Sequence, residues 1–186
     1  MTLPLQPFVV IRHGQTDANR DGRIAGRIEA QLTDTGRAAA RALAGRAWPA
    51  RLAVFSSPQQ RARETAKLAF PHHAAWVLDG LRERDWGQFE GRPIAEAPPR
   101  LETPEGGEAW QAVIDRVAAA VAEAALRAEG HLPVLVAHSG VIRALRQITG
   151  GSAHGPSPAN TTPCLFTPSG GAWRETTLDM EHEWTA

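Results

Sequence analysis

Residues 8–20, FVVIRHGQTDANR, decide how the chain is read. Phe8, Val9, Val10 and Ile11 form a short apolar run, largely β-branched, that reads as a buried strand. It runs straight into Arg12, His13 and Gly14. In an open α/β sheet, ligands bind in the crevice beyond the carboxyl ends of the strands. An arginine and a histidine in that place are either turn residues or a nucleophile beside its anion clamp. If the second holds, polar groups leave the ends of other strands as well.

Working outward, 20–31 shows no clean period and reads as a loop. Thr33 is a helix cap ahead of Asp34, and an alanine-rich helix follows to about residue 47. A second strand covers 52–55. Ser57-Pro58-Gln59-Gln60 predicts a helix start with Ser57 as cap, the helix running to about residue 69. Strands are predicted at 75–78 and 133–137 and helices at 110–129 and 141–148. A terminal hairpin joins 161–167 to 173–178 through Pro168-Ser169-Gly170-Gly171. Strands alternating with helices predict an α/β fold, a three-layer α/β/α arrangement around a mostly parallel central sheet, in a single domain over 1–186. The glycine- and proline-rich segment at about 87–110 is irregular and lid-like.

The strand ends pass the test. Strand 8–11 delivers Arg12 and His13. Strand 52–55 delivers a helix whose first turns carry Arg61 and Arg63, strand 75–78 leads to Glu83, and strand 133–137 delivers His138. At 100° per residue Ala62, Thr65, Ala66 and Ala69 form the inward stripe of that helix. Arg61 flanks the stripe and leans back toward the strand ends, whereas Arg63 lies on the solvent side with Lys67. Taken singly, each residue also has a plain reading: His138 as a helix-start residue, Glu83 as a solvated loop carboxylate.

Composition narrows the classes. The 186 residues are 42% hydrophobic with formal net charge zero, which argues against nucleic acid or a membrane surface as partner. Nineteen arginines against one lysine is a compositional bias, so no arginine is functional merely for being one. The single cysteine, Cys164, allows no internal disulfide and fits a reducing compartment. Residues 1–7 carry no positive charge, and the apolar run after them is too short for a signal peptide. The expectation is a soluble cytoplasmic protein. No His-Glu-x-x-His, Cys-x-x-Cys, Gly-x-Ser-x-Gly, Gly-x-Gly-x-x-Gly or phosphate-binding P-loop occurs.

Two histidines, a carboxylate and arginines suit a phosphomonoester, which carries about −1.5 to −2 charges at neutral pH. Arginines neutralise that charge as it grows in the transition state. One histidine attacks phosphorus, and a carboxylic acid protonates the leaving oxygen. No metal or other cofactor is required.

The same residues carry a resemblance. Arg12-His13-Gly14-Gln15-Thr16 with Asn19, Leu32-Thr33 with Gly36, Ser56-Ser57-Pro58 with Arg61-Ala62 and Thr65-Ala66, Leu81-x-Glu83 with Gly87 and Glu90-Gly91, Gly106-Gly107-Glu108, and His138-Ser139-Gly140-Val141-Ile142-Arg143 occur in order. In this the chain resembles the histidine phosphatase superfamily, the phosphoglycerate-mutase-like proteins. The resemblance implies His13 as the phosphorylated residue, Arg12, Arg61 and His138 as the phosphate pocket and Glu83 as proton donor. Asn19, Gly26, Arg84, Ser139 and Gly140 are expected as substrate contacts. Mutases of the superfamily hold the substrate's carboxylate and second phosphate with basic residues of an insertion after the Glu-Gly, including a lysine where Ile94 stands here and a pair of adjacent arginines further on. The lack of that insertion favours a phosphatase of a small phosphorylated metabolite, similar to the branch of α-ribazole-phosphate and broad-specificity phosphatases. The Glu83-Arg84 pair keeps a cofactor-dependent mutase as the alternative, with a non-catalytic phosphate-binding protein a third reading. Selectivity is expected from 87–110, where Trp86, Phe89 and Trp110 offer either an apolar wall or plain core packing, and from the 150–158 loop around His154. A monomer or homodimer acting on a small-molecule phosphomonoester is expected.

Overall fold

The computed structural model describes residues 3–178 and Trp184; the first two residues of the predicted domain and most of those after 178 lie outside the described residues. Eleven strands and helices are found among them: β1 Phe8–Arg12, α1 Asp17–Arg20, α2 Asp34–Ala42, β2 Leu52–Ser56, α3 Gln60–Ala69, β3 Trp76–Val77, α4 Trp110–Arg127, β4 Leu132–Ala137, α5 Ser139–Ile148, β5 Pro163–Ser169 and β6 Ala172–Thr177. The sheet order is β3-β2-β4-β1-β5-β6. β1 to β4 pair in parallel, and β5 and β6 close one side antiparallel.

Successive side chains of a strand point to opposite faces, and both faces of the central strands are covered. Phe8 and Val10 of β1 pack with Val113, Val117, Val141 and Leu145 of α4 and α5. Val9 and Ile11 pack on the other face with Ala62, Ala66 and Ala69 of α3. This is the expected three-layer arrangement, and the stripe predicted for α3 is the buried one. α4 is the longest helix of the described residues, and no helix among them is long and apolar enough to cross a membrane.

Two helix boundaries differ most from expectation. The helix predicted from Ser57 begins at Gln60, with Gln59 as an uncapped N-cap. The Ser57 N–H donates to the Val136 carbonyl at 3.0 Å, so the chain stays in the β2–β4 ladder past Ser56. α2 ends at Ala42 and tightens into a 3₁₀ turn over Leu43–Gly45, well short of residue 47. The Thr33 cap stands as predicted, its side chain accepting from the Gly36 N–H at 3.0 Å.

Candidate active site

Sheet register builds the site. Arg12 of β1 lies opposite Ala137 of β4, so the next residue of each strand, His13 and His138, leaves the sheet side by side. Their ring centroids are 5.1 Å apart at 61°. β2 is the other neighbour of β4, which brings Ser57 against His138. Around these ends lies a cavity of about 160 Å³ lined by Arg12, His13, Asn19, Arg61, Glu83 and Ser139, among others.

Each histidine has a defined tautomer. His13 Nδ1 lies 2.8 Å from the Gly14 carbonyl, and a carbonyl only accepts, so Nδ1 carries the proton and Nε2 keeps the lone pair. The Ser57 hydroxyl accepts from the Gln59 N–H at 3.4 Å and lies 2.8 Å from His138 Nε2. Among the described residues Nε2 is the one acceptor within reach of the hydroxyl proton, so the hydroxyl donates to Nε2 and His138 Nδ1 is left as a donor. Burial first, then the Arg61 guanidinium, holds both imidazoles well below the usual histidine range. Both rings are therefore neutral at pH 7.

A stability prediction follows. Unfolding releases both histidines to an ordinary value near 6.5, so below that pH the unfolded chain binds protons that the folded chain does not. The contribution is complete above pH 6.5 and is lost on acidification, with a slope of up to roughly 3 kcal/mol per pH unit for two groups. Thermal melts from pH 8 to pH 5 are expected to show Tm falling below pH 6.5, and His13→Asn is expected to shallow that fall. A melt insensitive to pH over this range contradicts the buried neutral pair.

Arg61 is buried on α3, facing a loop. Its guanidinium donates to the carbonyls of Ile28, Ala25 and Gly26 at 3.0, 2.9 and 2.9 Å. Arg12 reaches the Ser157 hydroxyl at 3.3 Å and the Pro158 carbonyl at 2.7 Å. After these bonds three buried nitrogens of the site have no partner among the described residues: Arg12 Nε, Arg61 Nε and His138 Nδ1. Such groups are rare in folded proteins, and three together mark a place for an anion.

Glu83 stands across from them. One carboxylate oxygen accepts from the Arg84 N–H at 2.8 Å and the other from the Gly140 N–H, at the start of α5, at 3.1 Å. A Cβ on Gly140 would come within 2.1 Å of the carboxylate, so glycine is required for this approach. The Asn19 carbonyl oxygen accepts from the Thr16 N–H and the Asn160 amide, each at 3.2 Å, leaving its amide N–H groups as donors.

Comparison with known proteins agrees with this geometry. The profile of the histidine phosphatase superfamily (branch 1) matches residues 8–178. The chain belongs to that superfamily. It is 35% identical over 158 residues to a metal-independent phosphoserine phosphatase of Arabidopsis thaliana, covering 74% of this chain and 66% of the relative, so it spans about two thirds of that protein's length. It is 32% identical over 157 residues to phosphoglycerate mutase-like protein 4 of the same plant, covering 74% and 68%. The structure of a mycobacterial glucosyl-3-phosphoglycerate phosphatase in complex with VO3 superposes with TM-score 0.80 at 28% identity, covering 92% of this chain and 98% of that one.

Within this histidine phosphatase fold, Arg12, His13, Asn19, Arg61, Glu83, Ser139 and Gly140 all line the cavity, and His138 lies buried beneath it. Arg63 is exposed in a separate groove with Lys67. Two expected contacts stand elsewhere. Arg84 is fully buried and does not line the cavity. It donates to the carbonyls of Glu108, Arg100 and Glu102 at 3.0, 2.6 and 2.5 Å, with the Trp86 ring 4.8 Å away. Gly26 acts through its backbone alone: its carbonyl accepts from Arg61 and Gln59, and its N–H donates to Glu90 at 2.9 Å. Trp86 lines the cavity, Trp110 is core, and Phe89 is not in the lining. In the 150–158 loop Ser157 reaches the cavity, whereas His154 is exposed.

Sequence reasoning missed the supports. Glu90 accepts four backbone N–H groups, from Gly26, Arg27, Ile28 and Trp86, and so shapes the loop that grips Arg61. Gln59 ties that loop to the Glu83 N–H, and Arg116 holds the carbonyls of Gly80, Arg82 and Glu83. Asn160 donates to the His13 carbonyl at 2.7 Å. The Glu90-Gly91 pair was the one signal available for any of these.

Proposed function

We propose that this protein is a metal-independent phosphomonoesterase working through a phosphohistidine on His13. The observation that carries the reading is the set of unpartnered buried N–H donors, Arg12 Nε, Arg61 Nε and His138 Nδ1, beside an imidazole whose Nε2 holds a free lone pair. A phosphoryl group placed among them satisfies all three donors and presents phosphorus to Nε2. The N–P bond forms as the P–O bond to the leaving group breaks, and Glu83 gives its proton to the departing oxygen. Water then gives a proton to Glu83 and its oxygen attacks phosphorus, breaking the N–P bond and releasing phosphate. The donors are fixed before the charge develops, which is where their catalytic value lies. Asn19 and Ser139 complete the phosphate contacts.

A small substrate is supported by the cavity, which at about 160 Å³ falls below the roughly 300–1,000 Å³ of drug-sized sites. The one feature that favoured the mutase alternative does not serve a substrate, because Arg84 spends its donors on backbone carbonyls; Ile94, where a mutase is expected to hold a lysine, is an apolar residue of the cavity wall. Hydrolysis of p-nitrophenyl phosphate with EDTA present is the test. Phosphate release unaffected by chelation is expected. Activity that vanishes with EDTA and returns with a divalent cation refutes the proposal, and isomerisation of 3-phosphoglycerate dependent on 2,3-bisphosphoglycerate favours the mutase.

A further inference from the structure

Two hydroxyls at the cavity have one hydrogen bond between them. Ser139, the first residue of α5, and Ser157, in the 150–158 loop, both line the cavity, and their Oγ atoms lie 3.0 Å apart. Each oxygen also faces an arginine donor. Arg143 Nε–H reaches Ser139 Oγ at 3.4 Å, and an Arg12 Nη1–H reaches Ser157 Oγ at 3.3 Å. A hydroxyl has one proton to give and two lone pairs with which to accept. The arginine bonds use lone pairs only, and the bond between the serines uses one proton, whichever of the two gives it. Among the described residues neither hydroxyl has another partner, so one of the two protons is left over.

The loop that brings Ser157 here is fastened by its backbone on both sides of the serine. Buried Arg143 donates to the Ala153 and Gly155 carbonyls, each at 2.9 Å, and Arg12 donates to the Pro158 carbonyl at 2.7 Å. None of these three bonds depends on a serine hydroxyl, so the loop keeps its place when either serine is changed. Arg12 thus gives Nη1 to the loop and keeps Nε for the cavity, which sets the serine pair beside the donors already assigned to the phosphoryl group.

We infer that Ser157 is a further phosphate-binding residue, forming with Ser139 a pair in which either hydroxyl can give the one spare proton to a phosphoryl oxygen. This rests on the phosphatase reading above, which supplies the phosphoryl group as acceptor. When Ser139 donates to Ser157, the Ser157 proton turns to the anion; when the bond runs the other way, the Ser139 proton does. Removing one serine leaves the proton of the other free for the same task. The pair therefore shows itself only when both hydroxyls are gone.

Orthovanadate, a phosphate mimic without a leaving group, is the probe, and its Kd is measured across a double-substitution cycle. Ser139→Ala and Ser157→Ala are each expected to weaken it by about threefold, and the two together by about 10- to 100-fold, the range of a hydrogen bond to a charged group. Ser157→Thr in the Ser139→Ala background keeps one hydroxyl and is expected to bind as Ser139→Ala does. Melting temperatures are expected to stay together across the set. Effects that simply multiply, the full loss in one single variant, or no vanadate binding by the unmutated protein overturns the inference. So does a threonine variant that binds as weakly as the double alanine, because the hydroxyl is then not what matters. Turnover of p-nitrophenyl phosphate by the unmutated protein reports separately on the phosphatase reading. A protein that hydrolyses it while the two serines act independently loses only the shared donor, and one that shows the coupling without hydrolysing loses only the phosphatase reading.

Discussion

His13→Ala is expected to lower kcat for phosphomonoester hydrolysis by at least about 10⁴-fold, the order seen when an enzyme loses its nucleophile. The structure explains why no neighbour can substitute. The His138 ring is 5.1 Å away, but its Nε2 faces Ser57 and its remaining nitrogen is a donor, so it has no lone pair to offer phosphorus. The same variant should keep its fold, because the strand-end bonds around residue 13 are made by backbone: His13 N–H to the Ala137 carbonyl at 3.0 Å and the His13 carbonyl to Asn160 at 2.7 Å. Rapid-quench labelling gives the complementary readout. The unmutated protein is expected to accumulate an acid-labile, base-stable phosphoryl-enzyme that His13→Ala lacks. Retention of more than about a hundredth of the activity in the variant, with its melting transition unchanged, would rule out His13 as nucleophile.

Legibility in the sequence followed the range of the interactions. β1 and β4 are short apolar runs ending in polar residues, and parallel register alone then places His13 next to His138. The stripe of α3 separated buried Arg61 from exposed Arg63 because helical period is local information. Ser57 was misread for the opposite reason. Its sequence suits a helix cap, but pairing with β4 takes its N–H and His138 takes its hydroxyl, and neither partner lies near it in sequence. Arg84 shows the same limit. An arginine beside the candidate acid suggests an anion, yet its donors meet carbonyls 16 to 24 residues away, in a segment without regular structure. Loop carbonyls leave no mark in a sequence, so Glu90, Gln59 and Asn160, whose partners are backbone groups, were the least visible part of the site. Thr161 belongs with them: its φ of 56° is rare for a β-branched residue, and it is held by its N–H donating to the Arg12 carbonyl at 2.8 Å.

Arg61→Met is expected to lower both stability and turnover, and the two losses have separable causes. Arg61 is 1% exposed and bonds to three loop carbonyls, of which, among the described residues, only that of Gly26 has a second donor, Gln59. Methionine fills much of the space but leaves the Ala25 and Ile28 carbonyls without that donor. At about 1–3 kcal/mol for each buried polar group left unpaired, offset by no longer burying a cation, the net loss is on the order of 2–3 kcal/mol. For a chain of this size that is a fall in Tm of about 4–12 °C. Turnover is expected to fall about 10²- to 10³-fold or more, the usual effect of removing one fixed donor from a developing charge. Arg61→Lys separates the two. Its ammonium can reach carbonyls and restore much of the melting temperature, but it supplies no counterpart to the Nε–H that now has no partner. The lysine variant should therefore melt close to the unmutated protein while keeping most of the catalytic defect, with vanadate binding weakened in parallel. A lysine variant that recovers turnover along with stability would mean that charge alone suffices at this position and that the orphaned Nε has no part in holding phosphate.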